Sequence, residues 1–175
     1  FTAEDIAWAR QNPNMGFADV IELVSRRCAE RNRTLVIRDW THLDFTGAPF
    51  VKPSYRLATA ESLQEKFQVI HTTTVRHPVD QWLSINNLPV FRGRLLLDDF
   101  LRGYRLFAEH CVRIGFIRYE DFVRSPEHKM HELCERLRIE YDRGFLDRWS
   151  SYRWVTGDTG ELASKDTEIK VVPRK

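Results

Sequence analysis

The chain has 175 residues, 42% of them hydrophobic and 30% charged, with a formal net charge of +2. This suits a globular domain with a sizeable core and excludes a broad basic field for nucleic acid or a membrane surface. No apolar run approaches the roughly 20 residues of a membrane helix, and 12% aromatic residues, five of them Trp, exclude a disordered chain.

In chain order, Phe17, Val20, Ile21, Val24 and Cys28 recur at helical spacing between Asp19, Glu22, Arg26 and Arg27. That spacing predicts an amphipathic helix over 17–31. "TLVIRDW" (34–40) is β-branched and has no helical period, so it reads as a buried strand. "LDFTGAPFVKPSYRLATA" (43–60) carries Gly47, Pro49 and Pro53 and reads as a long exposed loop, a feature that often serves function. A short helix over 61–66 leads to a second strand, "FQVIHTTTV" (67–75). Pro78 suits the first position of a helix, where its missing N–H costs nothing. "LDDFLRGYRLFAEHCV" (97–112) predicts another amphipathic helix with Asp98 and Asp99 at its start, and "IGFIRYE" (114–120) a third strand. Ser125-Pro126 opens the helix "PEHKMHELCERLRI", whose apolar face holds Met130, Leu133, Cys134 and Leu137. "GFLDRW" (144–149) reads as a short helix, and from Ser150 the chain turns polar and irregular.

Strands alternating with helices predict an α/β fold, a single three-layer domain over 1–175 with a parallel sheet flanked by helices. In such sheets ligands bind at the carboxyl ends of strands. Arg38-Asp39, Arg76 and Tyr119-Glu120 all fall at predicted strand ends and are expected to gather on one edge. Cys28, Cys111 and Cys134 are odd in number, far apart and in no C-x-x-C pair. They read as reduced thiols on helices, and with no visible signal peptide they point to the cytoplasm.

The segment "HTTTVRHPVDQWLSI" (71–85) places Arg76 at a strand end just before a helix. A guanidinium there can hold a phosphate in a two-pronged contact, helped by the helix dipole. Ser84, six positions past Pro78 and so about 9 Å along the axis, offers a hydroxyl donor. The plainer alternative is an Arg76–Asp80 ion pair with Ser84 facing solvent. His128 and His131 lie three apart on a helix, but no third ligand has a convincing place, and exposed histidines are the simpler account.

"TTTVRHPVDQWLSI" resembles the 3′-phosphate-binding segment of sulfotransferases that use 3′-phosphoadenosine 5′-phosphosulfate (PAPS): an Arg at a strand end and a Ser eight positions later, here Arg76 and Ser84. "IRYEDFVRSPEHKMHELCERLRI" resembles the family's later landmark, a strand ending in Tyr-Glu-Asp before a Pro-led helix, in which Tyr119 maps to the tyrosine that lies against the nucleotide. The two cover roughly residues 67–140. The resemblance implies a P-loop-like α/β architecture, PAPS as co-substrate with 3′-phosphoadenosine 5′-phosphate as product, no metal, and a small-molecule or carbohydrate acceptor. The net charge of +2 argues against a nucleic-acid or membrane partner, and the oligomeric state stays open. "VIRDWTHLDF" sits where the family carries its catalytic base, which implies His42 first and Asp39 second, with Arg38 steadying the transferring group. "YRWVTGDTGELASKDTEI" resembles, loosely, the C-terminal loop that closes over the 3′-phosphate, through Arg153, Gly157 and Lys165.

The chain departs from the family in three respects: His42-Leu43 stands further from the basic Arg38 than in the cytosolic branch, the C-terminal Arg-Lys-Gly run is absent, and the donor loop is missing. The Gly/Ser/Thr-rich 5′-phosphosulfate loop has no counterpart; the early glycine, Gly16 in "NPNMGF", has neither the preceding strand nor the following Ser-Gly-Thr. The expectation is therefore a sulfotransferase domain that is N-terminally incomplete. The alternatives are a nucleotide kinase of the P-loop type, which would hold Mg²⁺ through a strand-end carboxylate such as Asp39, and a non-catalytic binding module that keeps the fold.

Overall fold

A computed structural model describes residues 2–148. The chain divides into two compact units, Phe1–Phe116 and Ile117–Lys175, with the division inside a strand. Among the described residues the fold is mixed α/β, mostly helical, with a two-stranded parallel sheet. No helix among them is long and apolar enough to cross a membrane.

The first unit opens with α1 (Ala3–Gln11), closed at its start by a capping box between Thr2 and Asp5. The α2 helix (Phe17–Ala29) follows and buries Leu23. Arg27 ties α2 to α1 through Asp5, with its Nε 2.8 Å from the carboxylate. The guanidinium and the Thr2 backbone N–H hold the Asp5 carboxyl down at about 2. The short α3 (His42–Phe45) and α4 (Ala58–Gln64) come next, then β1 (Thr73–Val75) and α5 (Pro78–Asn86). Pro78 stands in the first turn of α5 as its sequence predicts.

The longest helix, α6 (Leu97–Ile114), is the spine of this unit. Its buried residues Phe100, Gly103, Phe107 and Cys111 repeat every three or four positions and form one stripe. Phe45 of α3 packs on this stripe: Phe45, Phe107 and Cys111 make a buried cluster flanked by Leu57, Val75, Tyr104 and Leu106. The approach is close enough to require Gly103, because a Cβ there would lie 2.1 Å from the Phe45 carbonyl oxygen. At the far end of α6, β1 is joined through Thr73, whose N–H donates to the Gly115 carbonyl at 3.3 Å.

The strand β2 (Phe116–Arg118) leads into the second unit, which holds α7 (Tyr119–Arg124), α8 (Pro126–Leu137) and α9 (Phe145–Arg148). Cys134 is the buried residue of α8, and the left-handed Arg138 ends that helix. All three cysteines are free. Burial pushes the Cys111 thiol up to about 12.

Four expectations change. The third strand, expected over 114–120, is confined to Phe116–Arg118, and Tyr119 and Glu120 turn into α7. Residues 34–40 form no strand; Val36 is 59% exposed and Ile37 38%. A β-branched run becomes a strand only when a neighbour completes its hydrogen-bond ladder, and no described segment lies beside this one as a strand. Residues 67–72 likewise stay outside the ladder, so the second predicted strand shrinks to Thr73–Val75. The segment 43–60 is not an exposed loop throughout: Phe45 and Gly47 are buried, α3 overlaps its start and α4 its end.

Candidate functional site

The candidate residues of the first unit sit on two structures that share α6. One is the corner between β1 and α5. Arg76 follows the last residue of β1 directly and precedes Pro78 by two positions, and its side chain is half-buried. Its carbonyl accepts the Tyr104 hydroxyl. The N-cap His77 makes no side-chain cap hydrogen bond to the first turn of α5, where the helix dipole is positive, and Asp80 stands in that turn. Ser84 is half-buried almost two turns into α5. Trp82 fixes α5 in place, its indole N–H donating to the Leu95 carbonyl at 3.0 Å.

The other structure is the 38–59 segment. Asp39 accepts the Thr59 hydroxyl at 3.0 Å, and Asp44 accepts the Ala58 N–H at 3.2 Å, so two carboxylates clasp the start of α4. Burial, with the Asp39 charge nearby, raises the Asp44 carboxyl above its usual range. His42 is 9% exposed, and both its ring nitrogens are engaged. Nε2 is 2.9 Å from the Ala48 carbonyl, to which it must donate, and Nδ1 is 2.6 Å from the Thr46 hydroxyl. The neutral tautomer protonated at Nε2 satisfies both bonds. Burial lowers the His42 pKa, partly opposed by the Ala48 carbonyl.

These two structures lie close together because α6 carries both. Tyr104 holds the Arg76 carbonyl, and Phe107, one turn on, packs against Phe45 with ring centroids 5.3 Å apart and planes inclined at 60°. The Tyr104 and Phe107 rings themselves lie 6.1 Å apart. One helical turn is about 5.4 Å, so the Arg76 corner and the end of α3 rest on adjacent turns of one helix.

Of the pair named as base from the sequence, Asp39 is exposed and beside the exposed Trp40, whereas His42 is enclosed with its proton-accepting nitrogen already used. Arg38 is exposed. Tyr119 is the exposed first residue of α7 in the second unit, with Glu120 after it; both were expected at the end of the strand, which instead stops at Arg118. Arg118 beside it is engaged by Asp121 in a two-pronged pair at 2.7 and 2.9 Å. Arg153, Gly157 and Lys165 lie outside the described residues.

Sequence reasoning missed Tyr104, Thr59 and an aromatic cluster. Tyr104 was legible in part, because it lies next to the buried stripe of α6. The cluster joins Trp40, His42, Phe50 and Phe91, residues up to 51 positions apart, and no local pattern links them. In the second unit a cleft of about 420 Å³ is lined by Glu127, His128, His131, Tyr141 and Arg143. Among the described residues no group of three metal-ligating side chains comes together.

No family model, curated protein or solved structure matches the chain.

Proposed function

We propose that the chain is a sulfotransferase domain that takes PAPS as donor and transfers its sulfuryl group to a hydroxyl or amine. The observation that carries this reading is the corner at Arg76: a guanidinium directly after a strand, directly before a helix N-terminus, with its backbone pinned by Tyr104. Such a corner suits one anion, because a fixed backbone lowers the ordering cost of placing the guanidinium and the helix dipole adds to its field. In this reading β1 and β2 belong to the parallel sheet of a three-layer domain.

Arg76 and Ser84 bind the 3′-phosphate of the nucleotide. Asp39 is the base: it takes the proton of the acceptor hydroxyl as the acceptor oxygen bonds to sulfur. The bond between sulfur and the bridging phosphate oxygen breaks, and 3′-phosphoadenosine 5′-phosphate leaves. Arg38 offsets the charge that builds on the sulfuryl oxygens. His42 is a positioning residue: its bonds to Ala48 and Thr46 fix the ring on which Trp40, the neighbour of Asp39, stacks.

Calorimetric titration with 3′-phosphoadenosine 5′-phosphate and with ADP tests this reading. The two differ in whether the second phosphate is on the ribose 3′ oxygen or on the 5′ chain. Tighter binding of the 3′-phosphate compound, with the preference lost in Arg76→Ala, is the expected result. Equal or tighter binding of ADP would overturn it in favour of a nucleotide kinase.

A further inference from the structure

Trp40 and Phe50 stand out among the described residues because both are large, about half exposed (52% and 51%), and held in one cluster. The Trp40 indole stacks on the His42 imidazole, with ring centroids 5.4 Å apart and planes at 25°. It meets Phe50 at 62° and Phe91 at 89°. Phe91 is 2% exposed and also abuts His42, with centroids 4.9 Å apart. His42 is itself pinned by Ala48 and Thr46. The indole is therefore stacked on a fixed ring and braced by two further rings, and about half of the residue stays open to solvent. The next residue back is Asp39, one of whose carboxylate oxygens accepts from Thr59.

We propose that Trp40 and Phe50 form a platform for a pyranose ring, with Asp39 accepting ring hydroxyls. A pyranose has an apolar face of C–H bonds, whose positive edges suit the negative face of an indole. It also presents several hydroxyls on adjacent carbons, which suit a carboxylate with unused lone pairs. A small phenol fits less well. Binding of a small aromatic ligand depends on enclosure of most of its surface, and the half-exposed rings here make an open shelf. An oligosaccharide lying along a shelf gains contact from successive rings. The role of the sugar as sulfuryl acceptor rests on the sulfotransferase reading; its binding does not.

The test is saturation-transfer NMR and titration without nucleotide, with methyl pyranosides of glucose, galactose, mannose and N-acetylglucosamine and their linear tetrasaccharides. At least one tetrasaccharide is expected to bind more tightly than its monosaccharide, with saturation strongest on one C–H face. Trp40→Ala is expected to weaken it at least tenfold. Trp8→Ala, an exposed indole on α1, is expected to leave it unchanged. Trp40→Leu keeps apolar bulk without the aromatic face, and with circular dichroism it separates lost binding from lost folding. The proposal fails if no sugar binds, if binding survives Trp40→Leu, or if p-nitrophenol binds at Trp40 and no pyranoside does. Sugar binding through Trp40 with no selectivity for the 3′-phosphate leaves the platform standing and removes the sulfotransferase reading. Nucleotide selectivity without sugar binding does the reverse.

Discussion

Replacing His42 by Ala separates a structural histidine from a catalytic one. The Nε2–Ala48 bond is lost outright, and a bond of this kind contributes about 1 kcal/mol. The Thr46 bond counts for less, because the same hydroxyl also lies 2.9 Å from the His42 carbonyl and its one proton can turn there. The stack with Trp40 and the edge contact with Phe91 add about 1 kcal/mol between them. Leaving the Ala48 carbonyl unpaired costs about 1 kcal/mol more. The expected loss is about 3 kcal/mol, read as a fall in urea midpoint at constant slope. The pH dependence supplies a second check. Because burial lowers the native pKa of His42, protons bind the unfolded state more readily. This contribution is present above an unfolded pKa of about 6.5 and is lost as pH falls through it. Wild type is therefore expected to lose stability between about pH 7 and 5, and His42→Ala to lose less over the same range. A change under about 1 kcal/mol with an unaltered pH profile would refute the structural role.

Four further predictions follow from the packing. Gly103→Ala brings a Cβ within 2.1 Å of the Phe45 carbonyl; overpacking of about 1–3 kcal/mol should exceed the roughly 1 kcal/mol gained in helix propensity, and an equal or higher melting temperature would contradict the close approach. Asp5 has its native pKa lowered to about 2, so its stabilising effect is full above an unfolded value of 3.8 and is lost as pH falls toward 2. Asp5→Asn should flatten acid unfolding in that window, and an unchanged acid profile would count against the Asp5–Arg27 pair. Cys28, half-buried, should react with a thiol reagent under native conditions well before Cys111 and Cys134, and simultaneous reaction of all three would contradict their burial. Asp39→Asn should abolish any sulfuryl transfer while leaving nucleotide affinity within about twofold, since a general base contributes to rate and not to donor binding; unchanged transfer would remove Asp39 as base.

The helices α2, α5, α6 and α8 were legible because each signals itself locally, by a stripe of apolar residues, a leading proline or both. The α1 helix carried a signal too, Thr2 with Asp5 three positions on, but its apolar residues are too sparse to show a face. Residues 34–40 misled because β propensity describes a fit to neighbours, and a neighbour is not a property of the segment. At the site, the Arg76 corner was readable from one strand end and one proline. The enclosure of His42 was not, because it depends on how the chain folds back at Thr46 and Ala48 and on Phe91, 49 positions away, reaching the same ring. Composition and spacing carry no information on which of two neighbouring bases is buried.

The central claim, that Arg76 holds a ribose 3′-phosphate, is tested most directly by a thermodynamic cycle. Adenosine 5′-phosphate and 3′-phosphoadenosine 5′-phosphate differ by that one phosphate, and wild type and Arg76→Ala differ by that one guanidinium. Affinities for the four combinations give their coupling free of other contacts. A charge-assisted contact predicts a coupling of about 2 kcal/mol, or about thirtyfold in affinity. A coupling of zero, with both nucleotides weakened alike or not at all, would show that the 3′-phosphate lies elsewhere.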